Sequence, residues 1–197
     1  LGIIGLGNIG KVVASRARGL EMNVIAADPF ISPEAAGKIG VELVSLDDLL
    51  TRSDFITLHV PRLKETVGMI NKKTMGKMKQ GIRIINCSRG DIINIDDLHD
   101  AIVSGHVAGA ALDVFPTEPP DTSLAILKLP QVIFTPHLGA STAEAQVKVA
   151  EMIARQMTDY LTKNIITNAV NFPSISKEGL DQLQPYLQLA EKMGSLM

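Results

Sequence analysis

Seven short apolar runs, separated by longer stretches of a different character, constrain the fold of this chain more than any single residue does. The runs are Leu1–Ile4, Asn23–Ala27, Val41–Leu43, Phe55–Leu58, Ile82–Asn86, Val107–Leu112 and Val132–Thr135. Between most of them lie segments that read as helices: Ile9–Gly19, Ser32–Ile39, Leu46–Thr51, Lys72–Met78 and Ile95–Ser104. Strands that alternate with helices pair in parallel, because each crossover returns the chain to the same end of the sheet. The expectation is an α/β fold, a doubly wound parallel sheet with right-handed crossovers. The first five runs are continuously apolar, as strands covered on both faces should be.

After the last run the pattern lengthens. Ser141-x-x-Glu144 has the form of a capping box. Val147, Ala150, Ile153, Ala154, Met157 and Leu161 then make one apolar stripe at spacings of three and four. A helix over 141–163 spans on the order of 30 Å at ~1.5 Å per residue, long for a crossover. Residues 164–176, rich in Asn, Pro and Ser, read as a linker, and a short amphipathic helical tail is expected from near Pro185. The expected organisation is a sheet domain over 1–140, a connecting helix over 141–163, and over 164–197 a linker and the start of a further domain. The chain opens at Leu1 in a strand pattern and stops at Met197 in a helical one, so an excised piece of a longer protein is expected. A stripe of this kind is costly to leave wet. It predicts packing against a second copy, hence a homodimer, with higher oligomers open to the intact protein.

Gly5-Leu6-Gly7-Asn8-Ile9-Gly10 sits where the first strand pattern gives way to a helical one. That context turns a weak glycine pattern into a dinucleotide-binding one. Gly5 permits the tight turn and Gly7 lets the backbone approach a pyrophosphate. Gly10 lets helix and strand pack closely, while the helix N-terminus with Asn8 and Ile9 faces the phosphates. The sheet is therefore expected to be of the Rossmann type. Asp28 closes the second run, 18 residues past Gly10, close to the ~20 expected of a ribose-binding acid. Its carboxylate suits two ribose hydroxyls and repels a 2′-phosphate, and no Lys or Arg follows it before Lys38. NAD is favoured over NADP. His59-Val60-Pro61 ends the fourth run and can line the adenosine side, with Thr66 opening the next segment; for His59 a structural role fits equally well.

Asn86-Cys87-Ser88-Arg89-Gly90 follows the fifth run. A guanidinium there can hold the carboxylate of a 2-oxo acid in two-pronged fashion and polarise its carbonyl; a surface cation is the equal alternative. Cys87 reads as small and buried rather than nucleophilic. Glu118 lies among Pro116, Pro119 and Pro120, and His137 between Pro136 and Gly139. Each alone is unremarkable. Together, a carboxylate can fix the imidazole and stabilise its charged form, so that His exchanges a hydroxyl proton while hydride moves to or from the cofactor.

These blocks, with Asp113-Val-Phe-Pro-Thr-Glu118-Pro and Pro136-His137-Leu-Gly139-Ala140-Ser141-Thr142, resemble the D-isomer-specific 2-hydroxyacid dehydrogenases from residue 1 to about 163. The resemblance implies that Arg89 binds substrate and that Glu118 and His137 form the proton-relay pair. It places Gly5, Asn8, Ile9, Gly10, Asp28, Cys87, Arg89, Asp113, His137 and Gly139 at cofactor positions, with Ser88 and Ala140 inside the same motifs. The tail, Asn168-Ala-Val-Asn171-Phe-Pro and Pro185 to Leu196, is similar to the longer-chain branch of that family acting on 3-phosphoglycerate. A small 2-hydroxy or 2-oxo acid is thus the expected partner, 3-phosphoglycerate favoured. Glycerate, glyoxylate or lactate remain alternatives, as does a non-enzymatic corepressor that senses NAD on the same fold. The family's substrate domain begins ahead of the cofactor domain, so this chain is expected to hold one wall of the pocket and to be inactive or nearly so alone.

Net charge is −2 over 197 residues, giving no general attraction to nucleic acid or anionic membrane. No apolar run approaches the ~20 residues of a bilayer span, and the start has no basic segment or cleavage site of a signal peptide. With one cysteine and four scattered histidines, neither a disulfide framework nor metal-site spacing is present. A cytoplasmic protein without a metal is expected.

Overall fold

The computed structural model describes residues 1–170 and 177–195. They fall into two compact units, Leu1–Gly139 and Ala140–Met197.

The first unit is a seven-stranded sheet: β1 (Gly2–Ile4), β2 (Ile25–Ala27), β3 (Glu42–Leu43), β4 (Phe55–Leu58), β5 (Ile82–Asn86), β6 (Val107–Leu112) and β7 (Val132–Phe134). Every pairing is parallel, in the order β3-β2-β1-β4-β5-β6-β7. The chain winds outward from β1 to one edge, returns to pair β4 beside β1, and winds outward the other way. The reversal between β1 and β4 leaves a crevice outside the carboxyl ends of those strands, where ligands of such sheets bind.

Five helices serve the crossovers: α1 (Asn8–Gly19), α2 (Pro33–Lys38), α3 (Leu46–Arg52), α4 (Lys72–Met75) and α5 (Ile95–Val103). Alternation of side chains along each strand divides the core in two. Ile3, Leu6, Val24 and Ala26 pack with Ala14, Ala17 and Ala36 of α1 and α2. Ile4, Ile25, Ile56, Leu58 and Ile84 pack with Leu49, Leu50, Met75 and Leu98 of α3, α4 and α5. Each large aliphatic side chain removed from water there contributes roughly 1.5–3 kcal/mol.

Not all of the first five runs are covered on both faces. β3 is an edge strand of two residues, one exposed and one half-buried. In β5, Arg83 points to solvent with its guanidinium 5.4 Å from the Phe55 ring centre. A cation–π contact lets a charged residue stand in an otherwise apolar strand. Two 3₁₀ turns, Gly90–Ile92 and Ala125–Lys128, join the expected elements.

The second unit holds α6 (Ala143–Lys163) and α7 (Lys177–Gly194). The cap of α6 lies one residue later than expected: Thr142 Oγ1 accepts the Ala145 N–H at 3.1 Å. None of the α6 side chains is buried, so its apolar stripe faces solvent in the single chain. α7 begins at Lys177 rather than near Pro185, which lies inside it. Proline removes one backbone donor and crowds the carbonyl four residues earlier, yet the helix continues through it. Residues 164–170 of the expected linker form neither helix nor strand; 171–176 lie outside the described residues.

Candidate active site

Asp28 and five loops stand at the carboxyl ends of six parallel strands. The first loop joins β1 to α1. Gly5 takes φ of 92°, open to glycine at little cost, and a side chain there would meet the His59 carbonyl at 2.5 Å. A Cβ at Gly10 would strike the Gly5 carbonyl oxygen at 2.1 Å, whereas one at Gly7 would meet nothing within 4 Å. Gly10 therefore serves the close packing of helix on turn, and Gly7 borders open space.

α1 also begins unlike its neighbours. Ser32, Ser45, Asn71, Asn94 and Thr142 cap α2 to α6 with side-chain oxygens. Gly7 offers α1 none, and the first turn of α1 carries no acid. Its leading N–H groups and positive dipole end are left for an outside anion. Asn8 and Ile9 of that turn are exposed. The turn is held from below by Asp28 at the end of β2, whose Oδ2 accepts the Leu6 N–H at 2.7 Å and Oδ1 the Phe30 N–H at 2.8 Å. A carboxylate fixed there keeps further lone pairs for hydroxyl donors. The residues present thus fit a dinucleotide.

His59 follows β4. Its Nε2 lies 3.0 Å from Thr57 Oγ1, and burial pushes its pKa down. It is half-buried and its backbone roofs the glycine turn. Val60 and Pro61 continue that edge. Thr66 turns its hydroxyl back on its own loop, donating to the Pro61 carbonyl at 2.6 Å and accepting the Leu63 N–H at 2.8 Å.

The β5 loop is tied by a side chain that sequence reading left without a role. Buried Asn86 accepts the N–H and the hydroxyl of Ser88 through Oδ1 and donates from Nδ2 to the Arg89 carbonyl. Asn at a strand end two residues before Ser is the signal, since such side chains close turns on their own backbone. Cys87 is exposed, not buried as expected: the Asn86 turn lifts it out of the strand. Partial desolvation and the Asp113 carboxylate push its thiol up, away from nucleophilic use. Arg89 is exposed, with Nη1 2.6 Å from the Ser88 carbonyl. Gly90 brings this loop against the next: a Cβ there would lie 1.9 Å from the Phe115 carbonyl carbon.

Asp113 ends β6. It is 8% exposed. Its Oδ1 accepts the Thr135 hydroxyl and the Leu138 N–H (2.8 Å), and its Oδ2 the Gly139 N–H (3.3 Å). Burial opposes its ionisation, but these bonds together outweigh it and hold the carboxyl below the usual range. Asp113 so clamps both ends of the loop bearing His137, whose backbone is left-handed at φ 56°.

Glu118 Oε2 then stands 2.6 Å from His137 Nδ1, while Oε1 accepts the Phe115 N–H at 3.0 Å. The imidazole contact first, and the Phe115 N–H second, hold the Glu118 carboxyl below its ordinary value. An ionised carboxylate only accepts, so Nδ1 carries the proton between them. Arg89, Glu118 and His137 line one cavity of about 230 Å³ together with Gly90 and Phe115. Asp113, Glu118 and His137 line another of about 340 Å³. Ala140 belongs to the second unit.

Residues 1–139 match the family model described as D-isomer specific 2-hydroxyacid dehydrogenase, NAD binding domain. The chain belongs to this family. Its cofactor is NAD, and the sheet is of the Rossmann type. D-3-phosphoglycerate dehydrogenase of Archaeoglobus fulgidus is 49% identical over 99% of the chain, and that of Bacillus subtilis 46% over all of it; in each the match spans 37% of the relative. The chain thus spans little more than a third of the length of these curated relatives. Among solved structures of the dehydrogenase family, a glyoxylate reductase from Paecilomyes thermophila superposes with TM-score 0.77 at 34% identity, covering 86% of this chain and 51% of that one. A D-lactate dehydrogenase of Aquifex aeolicus, complexed with NAD and lactic acid, gives 0.71 at 32%, covering 81% and 52%.

Proposed function

We propose that this chain supplies the cofactor site and the acid/base pair of an NAD-dependent oxidation of a D-2-hydroxy acid, with 3-phosphoglycerate as the favoured substrate and 3-phosphohydroxypyruvate as its product, a step of serine biosynthesis. The observation that carries the reading is the 2.6 Å contact of His137 Nδ1 with Glu118, in one cavity with Arg89. The names of the relatives at 46–49% identity support the substrate.

NAD held at this site would supply the hydride acceptor; the rest falls to the chain. The uncapped start of α1, with Gly5, Gly7, Asn8, Ile9 and Gly10, takes the pyrophosphate. Asp28 takes the ribose hydroxyls, and His59, Val60, Pro61 and Thr66 border the adenosine. Cys87, Ser88, Asp113, Gly139 and Ala140 belong to the nicotinamide end. Arg89 holds the substrate carboxylate in its fork and, in the reverse direction, polarises the carbonyl of the 2-oxo acid toward hydride. His137 removes the hydroxyl proton through Nε2, and Glu118 stabilises the imidazolium that forms. The protein works in the cytoplasm as a homodimer, with 141–163 as a connecting helix and 164–197 leading into a further domain.

His137→Asn in the full-length protein tests the assignment. NADH binding should survive while turnover of 3-phosphoglycerate falls roughly 10²–10⁴-fold. Unchanged kcat removes His137 from the role. Turnover of glyoxylate or lactate but not 3-phosphoglycerate moves the substrate, and tight NADH binding without any turnover favours an NAD-sensing corepressor.

A further inference from the structure

Asp91 and Arg62 have no part in the reaction described above, yet they meet at the edge of its cavity. Asp91 follows the Arg89-Gly90 turn and lines the same space as Arg89, Glu118 and His137. Its side chain is only 27% exposed, so water screens it poorly. Glu118 is already matched by His137. Asp91 is then a second acid on a wall that has to receive an anion. A bare carboxylate two residues from Arg89 would repel the incoming substrate carboxylate and compete for the guanidinium.

Arg62 answers that charge from a different strand end. It lies on the loop after β4, and its Nε donates to Asp91 Oδ2. The Gly68 N–H, from the same loop, bonds the Asp91 carbonyl at 2.8 Å. The two loops are therefore already tied by backbone, and the ion pair adds charge compensation to a junction that exists without it. Arg89 meanwhile turns Nη1 to the Ser88 carbonyl rather than to Asp91.

We propose that Arg62 is a specificity-determining residue for anionic substrates: by neutralising Asp91 it keeps the cavity wall receptive to a carboxylate and leaves Arg89 available to bind it. The proposal rests on the reaction assigned above. It makes Arg62 act through Asp91 rather than by touching substrate.

The two partners give opposite expectations. In the full-length protein, Arg62→Ala exposes the Asp91 charge and should raise KM for the oxo acid about 3–10-fold, with kcat within about twofold. The increase should shrink as ionic strength rises. Asp91→Asn should lower KM or leave it unchanged, and the double variant should return to within about twofold of the parent. If the pair is only a clasp between loops, both single variants raise KM, the effect ignores salt, and the proposal falls. Oxalate binding to the NADH complex, followed by NADH fluorescence, makes the same comparison without turnover. A parent that binds oxalate in this charge-dependent way but reduces no oxo acid removes the reaction and keeps the role of Arg62; a parent that turns over while Arg62→Ala changes neither KM nor oxalate affinity does the reverse.

Discussion

Asp113 does for the His137 loop what a cap does for a helix, satisfying several donors with one carboxylate. Asp113→Asn keeps the shape but loses the charge, and at neutral pH it should cost about 1–3 kcal/mol of stability. The pH dependence follows from the lowered carboxyl pKa. A group whose folded pKa is depressed stabilises above its unfolded value and loses that contribution as pH falls through the folded one. The gap between parent and variant should therefore be widest near neutrality and close in acid, as read by urea denaturation over a pH series; a constant gap would show that charge is not the source. At this scale the sequence displayed the residues to which the proposed chemistry falls and hid those that hold them. Glu118 and His137 stand out because Pro and Gly flank ionisable groups. Asp91 does not, because its partner Arg62 stands on another loop, brought near only by the fold, and Asn86 carries only a faint local turn signal, its partners lying two and three residues on.

Among the elements, alternation of apolar runs and helical segments places the strands to within two residues at each end, since apolar runs leave a strong signal both in buried strands such as β1 and in the partly exposed β7. What it did not show was where one loop must press on another. Gly90 is such a place. A methyl group there would meet backbone atoms of Phe115 and Pro116, at 1.9 and 2.3 Å, and backbone cannot rotate away. Gly90→Ala should lower Tm by several degrees, from an overpacking cost of about 1–3 kcal/mol or more. Gly7→Ala is the contrast: it meets open space, so Tm should hold while NADH affinity falls. Melting curves and NADH titrations of both variants check the pair, and equal behaviour of the two would mean that the glycine turn and the Arg89 loop play the same part. α7 starts at Lys177, ahead of the Pro185 that suits a first turn, because one missing donor is a cost that a long helix can absorb.

For the molecule as a whole, the exposed face of α6 is the main departure from a self-sufficient domain. Ile153, Met157 and Leu161 are each at least half exposed, a contiguous apolar stripe of a kind that marks an interface. Light scattering should give twice the mass of one chain, and Met157→Lys should halve it at the same concentration. A parent monomer would refute the dimer. Periodicity made this face visible in sequence, but not its occupant, because an apolar stripe specifies burial and says nothing of what buries it.

The left-handed backbone at His137 carries a further consequence. Residues with a Cβ pay for that conformation, and glycine or asparagine would adopt it more cheaply. An imidazole is therefore kept where folding alone would choose another residue, at a tax on the native state that Asp113 and its three bonds help to meet. On the proposed role of His137, position 137 is a point where turnover and hardiness pull apart.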